Sequence, residues 1–219
     1  AVNALGLDLV NPTDELEQHL VAVGVADALY ALKENQNAVG WYDVTVRKAL
    51  NVIGVIHPEI LTDEQAKFAF TYGLAVTSNG LKVDKNFELA EIVYETYKRT
   101  GKMPTNIKAG KAQGAINKSL GEFNTLKEEM GAEVFHKFMM SNFTVGQMGK
   151  LGFEIPGELV NTVVSGAAIL GPKIGNGFFA NLNGDFTQLT IDRWLTRTWG
   201  RWTGTLITHR QDMVDSKTA

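Results

Sequence analysis

Apolar positions recur at helical spacing along nearly the whole chain. Pro12-Thr13-Asp14-Glu15 opens a first helix whose Leu16, Leu20, Val23, Leu29 and Leu32 face inward, and residues 35–40 close it. Residues 41–56 spell a second helix, stopped at His57-Pro58 because proline pushes the residue before it out of the helical region. Thr62-Asp63-Glu64-Gln65 has the form of a capping box, with Thr62 at the N-cap and Gln65 three residues on. The helix it starts carries Phe68, Tyr72 and Val76 inward and ends in the turn Ser78-Asn79-Gly80. Residues 83–99 form another amphipathic stretch, burying Phe87, Ala90, Val93, Tyr94 and Tyr97, and 101–104 break it. Two more helices are expected over 107–130 and 132–141, divided at Gly131, and a short helical turn over 144–150. After a loop at Pro156-Gly157 come helices over 160–169, 174–182 and 189–202. No alternating strand pattern competes, so the expected class is all-α, a compact helical bundle.

Composition narrows the setting. Of the 219 residues, 44% are hydrophobic, ordinary for a globular protein, and no apolar run approaches the ~20 residues of a bilayer span. The opening AVNALGLDLVNP lacks the basic segment of a secretory leader. It also lacks an initiator Met, as expected of a processed product or an excised domain of a larger protein. There is no cysteine, which excludes disulfides, thiolate metal sites and an iron–sulfur cluster and fits a reducing cytoplasm. His19, His57, His136 and His209 show no metal-ligand spacing and read as surface or internally satisfied side chains, so no metal is expected.

The net charge of −3 is unusual for a nucleic-acid binder, yet its distribution is uneven. Lys98, Arg99, Lys102, Lys108, Lys111 and Lys118 follow one another with no acid between them. Arg193, Arg197 and Arg201 recur every fourth residue, a line of guanidiniums suited to phosphates. A solvated face explains both groups equally well.

Candidate chemistry concentrates in residues 170–201, LGPKIGNGFFANLNGDFTQLTIDRWLTRTWGR. A Gly171-Pro172 turn carries Lys173 into an apolar helical run, and after a polar turn Asp192 lies on the first turn of the next helix, one or two residues after a candidate N-cap at Thr190. A carboxylate at a helix start is held ionised by the helix dipole. It would stabilise the positive charge that develops on a sugar as a base departs. An amine kept neutral by a partly desolvated pocket can attack the anomeric carbon. The resulting Schiff base permits strand cleavage by β-elimination. The amide N–H groups of Gly171, Ile174 and Gly175 could face a DNA phosphate at the start of the helix after the turn.

This segment resembles the helix-hairpin-helix DNA glycosylase superfamily, most nearly the archaeal-type 8-oxoguanine DNA glycosylase/AP lyases. That family has a hairpin LPGxGxKxA and later a Val/Ile-Asp-x-His segment, in the archaeal type roughly GxKxASHFLRN followed by IDRH. Here stand Gly171-Pro172-Lys173, Phe178-Phe179-Ala180-Asn181 and Ile191-Asp192-Arg193-Trp194, with Asp192 nineteen positions after Lys173. The likeness covers these residues well and extends vaguely to 72–86. It departs where Ile169 replaces the first hairpin glycine, Gly175 a common alanine and Trp194 the histidine.

The resemblance implies a helix-hairpin-helix domain over 59–210, with 1–58 packing on it and 211–219 a frayed tail. It implies removal of a damaged or modified base, 8-oxoguanine or similar, from double-stranded DNA by a monomer associated with the nucleoid. Lys173 would be the nucleophile and Asp192 its electrostatic partner. Gly171, Ile174, Gly175, Arg193, Arg197 and Arg201 would hold phosphates, with no cofactor beyond a monovalent cation at the hairpin. An extruded base would be stacked and read by Phe178, Phe179, Trp194, Asn79 and Asn86. The alternatives are a non-catalytic DNA-binding module that keeps the hairpin, and a structural or interaction domain of a larger polypeptide.

Overall fold

The computed structural model describes residues 8, 9, 11–34, 41–185, 187 and 190–205, except the side chains of 41–43, 45–47, 193 and 194. The expected tail at 211–219 lies outside them. The described chain is mostly helical: α1 (Asp14–Glu34), α2 (Trp41–Ile56), α3 (Glu64–Thr77), α4 (Val83–Thr100), α5 (Gln113–Met130), α6 (Ala132–Met140), α7 (Val145–Lys150), α8 (Ala180–Leu182) and α9 (Arg193–Thr203). Two three-residue strands, β1 (Asn142–Thr144) and β2 (Val163–Ser165), pair antiparallel with Phe143 opposite Val164. The chain divides into two units, one spanning Tyr42–Thr190 and the other formed by Ala1–Trp41 with Ile191–Ala219. This division departs from the boundary expected at residue 58, because the last helix groups with the first.

In the larger unit α3 is the central element, buried at every position from Phe68 to Thr77. Its inward rings meet others in a contiguous aromatic core. Phe68 lies 5.7 Å from Phe123 and 5.4 Å from Phe135 between centroids, and Tyr72 lies 4.8 Å from Phe123. The Tyr72 hydroxyl donates to the Ser119 carbonyl at 2.8 Å, so even this fully buried phenol is satisfied. α4 packs closely on α3. A side chain at Gly73 would come within 3.1 Å of Val93, and Thr77 donates to Asn86 Oδ1 at 2.7 Å beneath the connecting turn.

The start of α3 differs from expectation. Asp63, not Thr62, is the N-cap, accepting from the Gln65 and Ala66 amides at 2.7 and 3.1 Å. Gln65 instead donates its side-chain amide to His136 Nδ1 at 3.2 Å. The His136 ring also stacks on Phe68 at 4.5 Å, and burial holds its pKa below the usual histidine value. His57 departs from the satisfied histidine expected: it is 1% exposed, and neither ring nitrogen makes a hydrogen bond. Its ring meets Tyr94 edge-on, and its Nε2 lies 3.4 Å from a Glu95 carboxylate oxygen. Beside it Glu59 accepts from Lys98 at 2.7 Å and Tyr94 at 3.2 Å, and the Lys98 hydrogen bond lowers the Glu59 pKa.

The helix expected over 160–169 is replaced by β2 and a 3-10 turn, Gly166–Leu170. Thr162-Val163-Val164 is a β-branched run that favours extended backbone, and β1 supplies its partner. Gly166 allows this segment to press on α6: a Cβ there would stand 2.1 Å from the Phe138 carbonyl oxygen. The expected turn at 144–150 is α7, started by a complete capping box between Thr144 and Gln147.

In the smaller unit α1 and α9 are joined by Asp27, whose Oδ2 accepts from the Arg201 guanidinium and, at 3.2 Å, from Trp202 Nε1. The Trp202 ring lies 3.3 Å from where a Gly24 side chain would begin, so only glycine admits it without displacement. Of the α1 residues expected inward, Leu16 is buried, whereas Leu29 and Leu32 are 60% and 42% exposed.

Candidate functional site

The segment around Lys173 is a tight reversal between the 3-10 turn Gly166–Leu170 and a π-helix, Pro172–Phe179, which runs on into α8. Gly171 makes the reversal at φ +88°, a conformation that favours glycine. Pro172 follows at the first helical position, where a missing N–H matters least. The helix is wide because its bonds reach five residues back, as from the Ala180 amide to the Gly175 carbonyl. Lys173 lies half-buried in its first turn.

Two of the three amides expected to face phosphate are committed within the protein. Gly171 donates to the Ala168 carbonyl at 2.8 Å and Gly175 to the Gly171 carbonyl at 3.0 Å. Gly175 is buried, and a Cβ there would lie 1.6 Å from the Ala167 carbonyl oxygen. Its role is therefore to let two backbones touch rather than to meet a ligand. Ile174 is half-buried in the first turn. Asn176 joins the reversal to the strand ribbon by accepting from the Ser165 amide at 3.2 Å. Beside the reversal, Gly171, Pro172, Asn176, Val164 and Ala168 line a cavity of about 20 Å³, room for one water.

Asp192 is itself the N-cap of α9, replacing the expected Thr190; its Oδ1 accepts from the Leu195 amide at 2.8 Å. It belongs to the smaller unit and Lys173 to the larger, so each is described within its own. The loop before Asp192 is organised by Asn181, whose Nδ2 donates to the Asp185 carbonyl and whose Oδ1 accepts from Thr190, both at 2.8 Å. Asn181 has no predicted role in the motif, and its only signal in the sequence is an amide placed just before a polar turn.

The other candidates separate. Arg197 is exposed on α9, and Arg201 is ion-paired to Asp27. The side chains of Arg193 and Trp194 lie outside the described residues. Ile191 is 55% exposed. Phe179 is 1% exposed and packs 6.1 Å from Phe68 and 6.3 Å from Tyr72, which makes it core rather than a stacking surface for a base. Asn86 is buried against Thr77 and cannot read a base edge. Phe178 and Asn79 are half-buried, Phe178 against the core and Asn79 in the turn after α3.

The basic run of 98–118 is partly neutralised. Lys98 pairs with Glu59, Lys102 with Glu128 at 2.6 Å, and Lys118 more loosely with Glu122 at 3.6 Å. No described helix is long and apolar enough to cross a membrane. No protein-family model matches the chain, and neither curated proteins nor solved structures give a match.

Proposed function

We propose that this chain binds double-stranded DNA in the helix-hairpin-helix manner and excises a damaged or modified base, with Lys173 as the nucleophile and Asp192 as the carboxylate. The observation that carries the reading is the Gly171 reversal, which delivers a half-buried lysine onto the first turn of a π-helix. π-Helical turns are rare and occur frequently at functional sites. The N-cap position of Asp192 supports its role, since it sets a carboxylate at the positive end of a helix.

In the proposed reaction the Lys173 amine bonds to the anomeric carbon as the bond to the base breaks, and the base leaves with the electron pair. An ammonium proton passes to the sugar ring oxygen as its bond to the anomeric carbon breaks, which leaves a protonated imine. Loss of a proton from the neighbouring sugar carbon then expels the 3′ phosphate. Incubation with duplexes containing 8-oxoguanine, uracil or an abasic site, followed by borohydride, tests this. A covalent adduct is expected with the wild-type protein and none with Lys173→Gln; no adduct on the abasic duplex removes the lyase step.

A second reading, a DNA-binding module without catalysis, draws on the Asp192 carboxylate already being engaged with the Leu195 amide. It requires Lys173→Gln to leave DNA affinity intact and cleavage to be absent throughout.

A further inference from the structure

Residues 101–109, between α4 and α5, form no regular element, yet two side chains hold them firmly. Asn124 accepts from the Met103 amide at 2.7 Å and returns a bond to the Met103 carbonyl at 2.9 Å. Asn117 does the same for Ile107, at 2.8 and 3.1 Å. Each carboxamide presents one donor and one acceptor and so pairs with a peptide unit as a neighbouring strand would. Asn117 and Asn124 stand two turns apart on one face of α5, separated by about 10 Å along its axis. Four extended residues reach at most about 13 Å, so the connector bridges the two clasps with little slack. Met103, Ile107 and Ala109 are buried beneath it.

The outward side chains of this ledge are Lys102, Thr105, Asn106 and Lys108, and Lys111 follows on the 3-10 turn Gly110–Ala112. No acidic residue occurs between 96 and 121, and no aromatic residue between 98 and 122. Lys102 is neutralised by Glu128. Lys108 and Lys111 have no ion-pair partner among the described residues. The surface thus offers exposed cations with hydroxyl and amide side chains, the groups that contact phosphates, and lacks the rings that bases stack on.

We propose that this clasped ledge, through Lys108 and Lys111, is a contact surface for the phosphate backbone of duplex DNA. It depends on the function proposed above only in taking DNA as the partner. Each phosphate contact on a B-form duplex contributes about 0.9 to the slope of log affinity against log salt.

The test is the anisotropy of a labelled duplex carrying one abasic site, titrated at several salt concentrations, with borohydride trapping on the same duplex at low salt. Lys108→Gln/Lys111→Gln should lower the slope by about two, while Lys98→Gln/Lys102→Gln, at cations already paired, should leave it unchanged. Equal melting temperatures establish that both variants fold. An unchanged slope in the first variant, an equal fall in the second, or no duplex binding by the wild type would overturn the proposal. A lowered slope with no adduct would support the ledge and remove the lyase. An adduct with an unchanged slope would do the reverse.

Discussion

Asp63 holds the first turn of α3 through two amides, while the Thr62 hydroxyl reaches only the Glu59 carbonyl at 3.5 Å. Asp63→Ala should therefore destabilise the protein by about 1 kcal/mol, and Thr62→Ala by under about 0.5 kcal/mol. Urea midpoints of the two variants check this, and equal losses would return the cap to Thr62. The sequence allowed either assignment, because both residues are good caps and Gln65 stands three after Thr62. What decides is the extended backbone of Asp63, at φ −115° and ψ 117°. A similar limit explains Asn86 and Phe179. Residue type gives what a side chain can do, but a hydroxyl nine residues away and two rings from α3 determine what it does.

Between whole elements, the closest contact described is the 3-10 turn against the π-helix. Gly175→Ala places a methyl group inside the Ala167 carbonyl and cannot be relieved by a flexible side chain. A loss of about 3 kcal/mol or more is expected, read as a fall in the urea midpoint; a loss below about 1 kcal/mol would show that the two turns separate easily. The long elements α3, α4 and α5 were legible because each repeats its apolar positions over several turns. The strand pair was not, since three residues carry too little alternation to register and β2 exists only because β1 lies beside it. Nor was the π-helix, whose eight residues carry no periodic pattern that sets them apart from an α-helix. In the candidate site, the sequence marked the lysine, the reversal and the carboxylate. It could not reveal that the Gly171 and Gly175 amides serve neighbouring carbonyls.

For the molecule as a whole, His136 links folding to acidity. Burial between Gln65 and Phe68 holds its folded pKa below the usual 6.5. A depressed value means that the unfolded chain binds the proton more readily, so the contribution is complete above pH 6.5 and is lost as pH falls through the folded value. Urea midpoints should decline below about pH 6.5, and His136→Phe, which keeps a ring on Phe68, should flatten that decline. An unaltered profile would assign the sensitivity to another group. The expected helical class was readable at this scale from the absence of long strand patterns, but the grouping of α9 with α1 was not. It depends on Asp27, Arg201 and Trp202, residues 174 and 175 positions apart in sequence.

The two carboxamides of α5 have one more consequence. They grip peptide groups, which nearly every amino acid possesses, so the course of residues 103–107 is written in the helix rather than in the residues that follow it. Side chains on the outer face can be exchanged, cation for anion or polar for apolar, while the path beneath them stays the same. The chain has in effect separated the mould from the lettering: one element keeps the shape, and another is left at liberty to change its message.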